Sequence, residues 1–321
     1  MTLRTITFAD AIDAALEEEM VSDSRIFILG EDILDVSHNI VTRGAKDKFP
    51  KRFISTPLIE DMLGDIGLGM NLAGLKPILN LDYGTFVSNA FNSLYRLGIW
   101  RYRTAEKSGP AVIFRISHYG YLGRGAELAA SFLGAIFHLP NIVIATPAFP
   151  HDAYGLLKTA FRSDRPVIFF EHKKLYDHSG TVPNKEYKVP FGSSTVLKNG
   201  TDVTLIAWSF MSHFSMSAAK ILEPQKINVE VIVLHTINPM DMETVLNSAR
   251  KTKRVIILEE DMLRGGIGTE ISTQISERLS GIKIARIAAK NVPVPTGQKY
   301  ETLILPNIEN IVEECQRLCS N

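Results

Sequence analysis

The sequence predicts an α/β protein built from two parallel-sheet domains, and three observations carry that prediction. Short apolar, β-branched runs recur along the 321 residues; segments with apolar positions three and four apart lie between them; and the alternation stops once, over a polar, turn-rich stretch, before it restarts. Strands that are apolar throughout are buried on both faces, as in a parallel sheet covered by helices on either side. At about 100–200 residues per domain the length suits two domains.

In chain order, the first strands are read at "RIFILG" 25–30, "KPILNL" 76–81, "AVIFRI" 111–116, "NIVIATP" 141–147 and "PVIFFE" 166–171. The segments "ADAIDAALEEEM" and "DAYGLLKTAFRS" have helical spacing. The polar stretch "YDHSGTVPNKEYKVPFGSS", 176–194, interrupts the pattern. Strands then resume at "DVTLIAWS" 202–209, "VEVIVLHT" 229–236, "RVIILEE" 254–260 and "IKIARIA" 282–288, with helices at "MSAAKILEP" and "METVLNSARK". The expected division is a first domain over 1–180, a linker over 181–200 and a smaller second domain over 201–321.

Composition excludes several classes. The chain is 45% hydrophobic and 22% charged with a formal net charge of zero, so no basic excess points to nucleic acid. Asp10 and Asp13 arrive before the apolar core of a secretory leader forms, and the longest apolar run, "LAASFLGAIFHLPNIVIATPAF", is broken by His138, Pro140 and Pro147. It reads as a helix followed by a strand. The two cysteines, Cys315 and Cys319, share a helical face and read as packed or free thiols of a reducing compartment rather than a metal pair. A cytoplasmic protein is expected, with no membrane segment and no metal ligands of its own.

Ligands of open α/β sheets gather at the carboxyl ends of strands. Glu31 and Asp32, in "LGED", stand there, either as turn and helix-capping acids or as binding groups. Glu60 sits among Pro57, Leu58, Ile59, Met62 and Leu63; a carboxylate buried among such neighbours is costly to ionise and its pKa should rise. A functional carboxyl and a helix-capping acid both account for it. "GGIGTEI" 265–271 offers Gly265, Gly266 and Gly268 between a strand and a helix, a weak phosphate-loop signal that close packing also explains. His118 falls just past a strand in a glycine-punctuated loop, as a solvated or a catalytic imidazole. Phe86 alone reads as core.

Taken together, "TFADAIDAALEEEM", "ILGED", "RFISTPLIEDMLGDIGLGMNLAGLKPI", "RYRTAE", "PVIFFEHKKLY", "HTINPMDMETVLNSARKT", "VIILEEDMLRGGIGTEI" and "VPVPTGQKYETLILPN" resemble, end to end, the β subunit of the thiamine-diphosphate-dependent first component (E1) of 2-oxo acid dehydrogenase complexes. The resemblance implies a transketolase-like pyrimidine-binding domain followed by a transketolase C-terminal domain. It implies that Glu60, after "TP", hydrogen-bonds the aminopyrimidine ring and favours the imino tautomer that deprotonates the thiazolium carbon. It also implies that Phe86 packs on that ring, and it leaves Glu31 a cofactor-binding candidate. The family's GDG motif and downstream Asn, which hold Mg²⁺ and the diphosphate, belong to a separate α subunit and do not occur here. An α₂β₂ heterotetramer with an E1 α-like subunit is therefore implied, with a lipoyl acyltransferase (E2) as a further partner.

Two positions depart from the family. Leu128, in "ELAAS", stands where the family has a histidine that assists the reacting 2-oxo acid or acyl transfer, and a leucine exchanges no proton. His118, ten residues upstream, is the expected substitute if its loop folds inward. In "AFRSDRPV", Ser163 and Arg165 replace the acid and amide that surround a structural potassium ion in the family, so no potassium site is expected. The expected activity is decarboxylation of a pyruvate-like 2-oxo acid with acyl transfer. Acyloin or ketol transfer without a lipoyl partner and a noncatalytic scaffold are the alternatives.

Overall fold

The computed structural model describes residues 2–34, 40–105 and 109–320. Its strands in chain order are β1 Leu3–Thr7, β2 Ile26–Glu31, β3 Phe53–Thr56, β4 Lys76–Leu81, β5 Ile113–His118, β6 Val143–Ala145 and β7 Val167–His172. They continue with β8 Ser179–Pro183, β9 Ser194–Lys198, β10 Val203–Ala207, β11 Val229–Leu234, β12 Thr236–Asn238, β13 Arg254–Met262 and β14 Lys283–Ala289. A seven-stranded sheet has the order β12-β6-β7-β5-β4-β2-β3 and a five-stranded sheet the order β14-β13-β10-β11-β9, while β1 and β8 form a separate antiparallel ribbon.

The interior pairings are parallel in both sheets. Every residue of β5, β7, β10 and β11 is buried, which is why these strands read as mainly apolar runs. The helix Phe8–Ser22 starts from a capping box in which the Asp10 N–H donates to the Thr7 hydroxyl and the Thr7 N–H to the Asp10 carboxylate. Its buried Phe8, Ala11, Ile12 and Ala15 lie three and four apart and pack it on the helix Pro150–Ala160. No helix among the described residues is long and apolar enough to cross a membrane.

Four strands in antiparallel pairings, β1, β8, β9 and β12, were not expected. The run at 229–236 ends in the second sheet at Leu234; Thr236–Asn238 then crosses over and pairs with β6 at the edge of the first sheet. Asn238 secures the join by donating to the Ile142 carbonyl at 2.7 Å. Part of the polar stretch expected as linker is also paired: β8 on β1, and β9 on β11 at the edge of the second sheet. β1, β8 and β9 are short and mostly open to solvent, and β12 has only three residues, so none shows the apolar run that marks a central strand.

The centre of the first sheet hides a charge pair. Arg115 of β5 forks onto Glu171 of β7, Nε to Oε1 at 2.6 Å and Nη2 to Oε2 at 2.9 Å, with both side chains buried. The Tyr176 hydroxyl donates to the same carboxylate at 3.0 Å. Such a pair is held by mutual satisfaction, and removing one partner strands the other in a dry sheet. Arg115→Met is expected to lower unfolding free energy in urea by about 3–5 kcal/mol, and Arg115→Met/Glu171→Leu to recover much of that loss. Equal costs for the single and the double variant would sink this account.

Candidate functional site

The ends of β2, β4, β5 and β7 bring the sequence-singled residues to one edge of the first sheet. Glu31 closes β2, and its Oε1 accepts the Ile59 N–H at 3.0 Å, which fixes the residue just before Glu60. Glu60 opens the helix Glu60–Leu72, where an acid in the first turn faces the positive end of the helix dipole. Burial, and then the charge of Glu60, raise the Glu31 carboxyl to about 7.

The expected burial of Glu60 is corrected here. Its side chain is half exposed, because Leu58 (72% exposed) and Met62 (53%) turn outward from this chain instead of enclosing it. Among the described residues the Glu60 carboxylate makes no hydrogen bond or ion pair. It is an ionisable group beside an uncovered apolar flank, not a core charge.

Phe86 ends a 3₁₀ turn, Gly84–Phe86, with its half-buried ring edge-on to Tyr83 at 5.3 Å. Tyr83 stacks on Tyr119 at 4.7 Å, and Asp82 accepts from Lys173 at 2.9 Å and from the Tyr119 hydroxyl at 3.2 Å. The Thr85 hydroxyl donates to the Glu127 carbonyl and ties this turn to the short helix Ala126–Ala129, where Leu128 is half buried.

His118 is not in a loop. It is the last residue of β5, paired in register with His172 at the end of β7, and it is 1% exposed. Its Nε2 lies 3.0 Å from Glu260 Oε2, and His172 Nε2 lies 3.0 Å from the same oxygen. Glu260 comes from β13, in the other sheet. The Lys174 N–H donates to His172 Nδ1 at 3.1 Å, so the proton of that neutral ring is on Nε2 and points at Glu260. Burial favours the neutral His172 imidazole, and the two imidazoles hold the buried Glu260 carboxyl well below the usual carboxylate range. The three ligand atoms lie within 4.8 Å of one another. A metal on His172 Nε2 would place a proton on Nδ1 against the Lys174 N–H, so the hydrogen bonds describe a bridge between the two sheets. His118 Nδ1 is buried and has no hydrogen-bond partner among the described residues.

The glycine loop at 265–271 holds a carboxylate of its own chain. The Gly268 N–H donates to Glu259 Oε2 at 3.1 Å, and Arg286 donates to Glu259 Oε1 at 2.8 Å. A Cβ on Gly266 or on Gly268 would come within 2.5 Å of the Glu259 oxygens, so close packing is what these glycines serve. At the other departure, Ser163 closes a local turn: its hydroxyl donates to the Arg165 carbonyl at 2.9 Å and accepts the Arg165 N–H at 3.1 Å.

Residues 4–178 match the transketolase pyrimidine-binding domain and residues 192–311 the transketolase C-terminal domain. The chain belongs to the transketolase family. It is 31% identical over 320 residues to the pyruvate dehydrogenase E1 component subunit beta of Rickettsia felis, covering 98% of each chain. It is 33% identical over 324 residues to the 2-oxoisovalerate dehydrogenase subunit beta of Bacillus subtilis, covering 97% of this chain and 99% of that one. A solved split-gene transketolase, described as an inactive β4 tetramer, superposes with a TM-score of 0.78 at 24% identity over 98% of both chains and shows the same fold.

Within this transketolase fold, sequence reasoning missed His172, Glu260 and Asp261. Asp261 accepts the Gly134 N–H at 2.6 Å, and burial raises its carboxyl to about 6. The signal was three consecutive acids ending an apolar strand, "VIILEED", and a histidine ending another, "VIFFEH". Glu31 yields a test. Its folded pKa is raised from 4.5 to about 7, so its contribution to stability is full below pH 4.5 and is lost as pH rises to 7. Relative to Glu31→Gln, the native chain is expected to lose about 2–3 kcal/mol across that window, read from urea midpoints; parallel profiles would refute it.

Proposed function

We propose that the chain is the β subunit of a heteromeric, thiamine-diphosphate-dependent enzyme that decarboxylates a 2-oxo acid and passes on the acyl group. The observation that carries this reading is Glu60: a carboxylate with no partner among the described residues, next to Glu31 at the strand ends of a pyrimidine-binding domain. The near-full-length likeness to E1 β subunits supports the substrate class.

The donor set fits an aminopyrimidine. Glu60 would share a proton with a ring nitrogen, and Phe86 would cover a ring face. Glu31, which anchors Ile59 and tends to keep its own proton near neutrality, spares Glu60 a second negative neighbour. Bound here, thiamine diphosphate would supply the carbon nucleophile and electron sink that decarboxylation needs. The exposed Leu58 and Met62 beside Glu60 fit a surface completed by an α-type subunit, which would bring Mg²⁺ and the diphosphate site. A lipoyl acyltransferase would take the acyl group. With the partner subunit and saturating cofactor, Glu60→Gln is expected to lower 2-oxo acid-dependent reduction of a dye at least about 100-fold and to weaken cofactor binding by calorimetry. Undiminished turnover would end this reading.

His118 takes the place of the absent family imidazole in this proposal. Its Nε2 is committed to Glu260, which leaves Nδ1 as its proton-accepting nitrogen. His118→Ala in the assembled enzyme is expected to cut turnover at least tenfold with little change in cofactor affinity; unchanged turnover removes His118 from the reaction. One observation favours a second reading, acyloin or ketol transfer without a lipoyl acceptor: Leu128 lies beside the Phe86 turn and exchanges no proton. Co-purification of the α-type subunit with a lipoyl protein supports the first reading, and its recovery without one supports the second.

A further inference from the structure

A second recess, of about 600 Å³, lies between the two halves of the chain and takes no part in the reaction proposed above. Phe149, Lys174 and His178 line it from the first half, and the helix Met211–Leu222 with Ile308 lines it from the second. Phe149, Phe210 and Phe214 form its wall; Phe210 packs on Phe214 at 4.9 Å between ring centroids, and His213 lies 4.7 Å from Phe149. The His213 Nε2–H donates to the Ala148 carbonyl at 2.8 Å and burial lowers its pKa, so this ring belongs to the wall as a neutral aromatic.

The charged lining has one sign. Lys174 and Lys220 border the recess, no acid lines it, and neither lysine has an ion-pair partner among the described residues. Unpaired lysines on an open surface are ordinary; two of them flanking a recess walled by phenylalanines are a complement to an anion that carries a flat apolar body.

We propose that this recess binds a small aromatic organic anion, its ring against the phenylalanine wall and its charged group against Lys174 and Lys220. The site sits directly behind the bridge between the sheets. Phe210 stacks on His172 at 4.8 Å and 22°, and the backbone N–H of Lys174 holds His172 Nδ1. An occupied recess therefore touches the residues that orient His172 toward Glu260.

The test uses 1-naphthoate as probe and the full chain, alone and with its partner subunit, by isothermal titration. Saturable binding at one site per chain is expected, weakened at least tenfold in Lys174→Met/Lys220→Met and at least tenfold for the uncharged 1-naphthalenemethanol. Both lysine side chains leave the fold's hydrogen bonds untouched; should the double variant fail to fold, Lys220→Met alone, at an exposed helical position, is expected to weaken binding at least threefold. No saturable binding, an affinity that survives the lysine substitutions, or equal binding of the uncharged probe would each overturn the proposal. The outcome is independent of the thiamine-diphosphate reading, because neither lysine belongs to the residues that reading uses.

Discussion

A carboxylate carried out of water needs partners, and Glu260 finds both of its partners on the other sheet. Its Oε2 accepts from His118 and His172, the terminal residues of two adjacent parallel strands, so the end of β13 is held at the site edge of the first sheet. Losing either imidazole would leave the charge undersatisfied in a nearly dry place. The same constraint repeats on both sides: Glu259 is satisfied by Gly268 and Arg286 of its own half, and Asp261 by Gly134 of the other. Two of the three successive acids, Glu260 and Asp261, thus set how the second half docks, and β12 on the edge of the first sheet makes the join continuous.

That docking explains the division between finished and unfinished regions. The buried charges are paired: Arg115 with Glu171 within the sheet, and Glu259 with Arg286 and the glycine loop. Glu60 is not, since Leu58 and Met62 face outward next to a carboxylate that has no partner among the described residues. An apolar flank of this kind around a polar group is the pattern of a surface meant to be covered. Glu31 adds the electrostatic side, because two neighbouring carboxyls in a partly dry place do not both ionise freely, and the more buried one yields.

The two halves also meet at a second place. The recess walled by Phe149, Phe210 and Phe214 backs onto His172, so one imidazole is shared between the bridge at the strand ends and the lysine-bordered recess behind it. A ring packed between two sites responds to the packing of either.

The sequence by itself determined the α/β class, the parallel strands and their order along the chain, because a strand covered on both faces is largely apolar. It also singled out Glu31, Glu60 and His118 as polar groups conspicuous beside their neighbours, whereas Phe86 came only from the family resemblance. Only the tertiary structure decided what surrounds them. Glu60 looked buried because its neighbours are apolar, but an apolar neighbour buries a residue only if it faces inward, and Leu58 and Met62 do not. His118 looked like a loop residue, and two more residues of strand placed it beside His172. Glu260 and His172 are far apart in sequence, and no local pattern records that two histidines from one sheet and an acid from another share a single oxygen. Local composition writes periodicity and burial tendency into a chain; contacts between distant strands are fixed by how whole sheets pack.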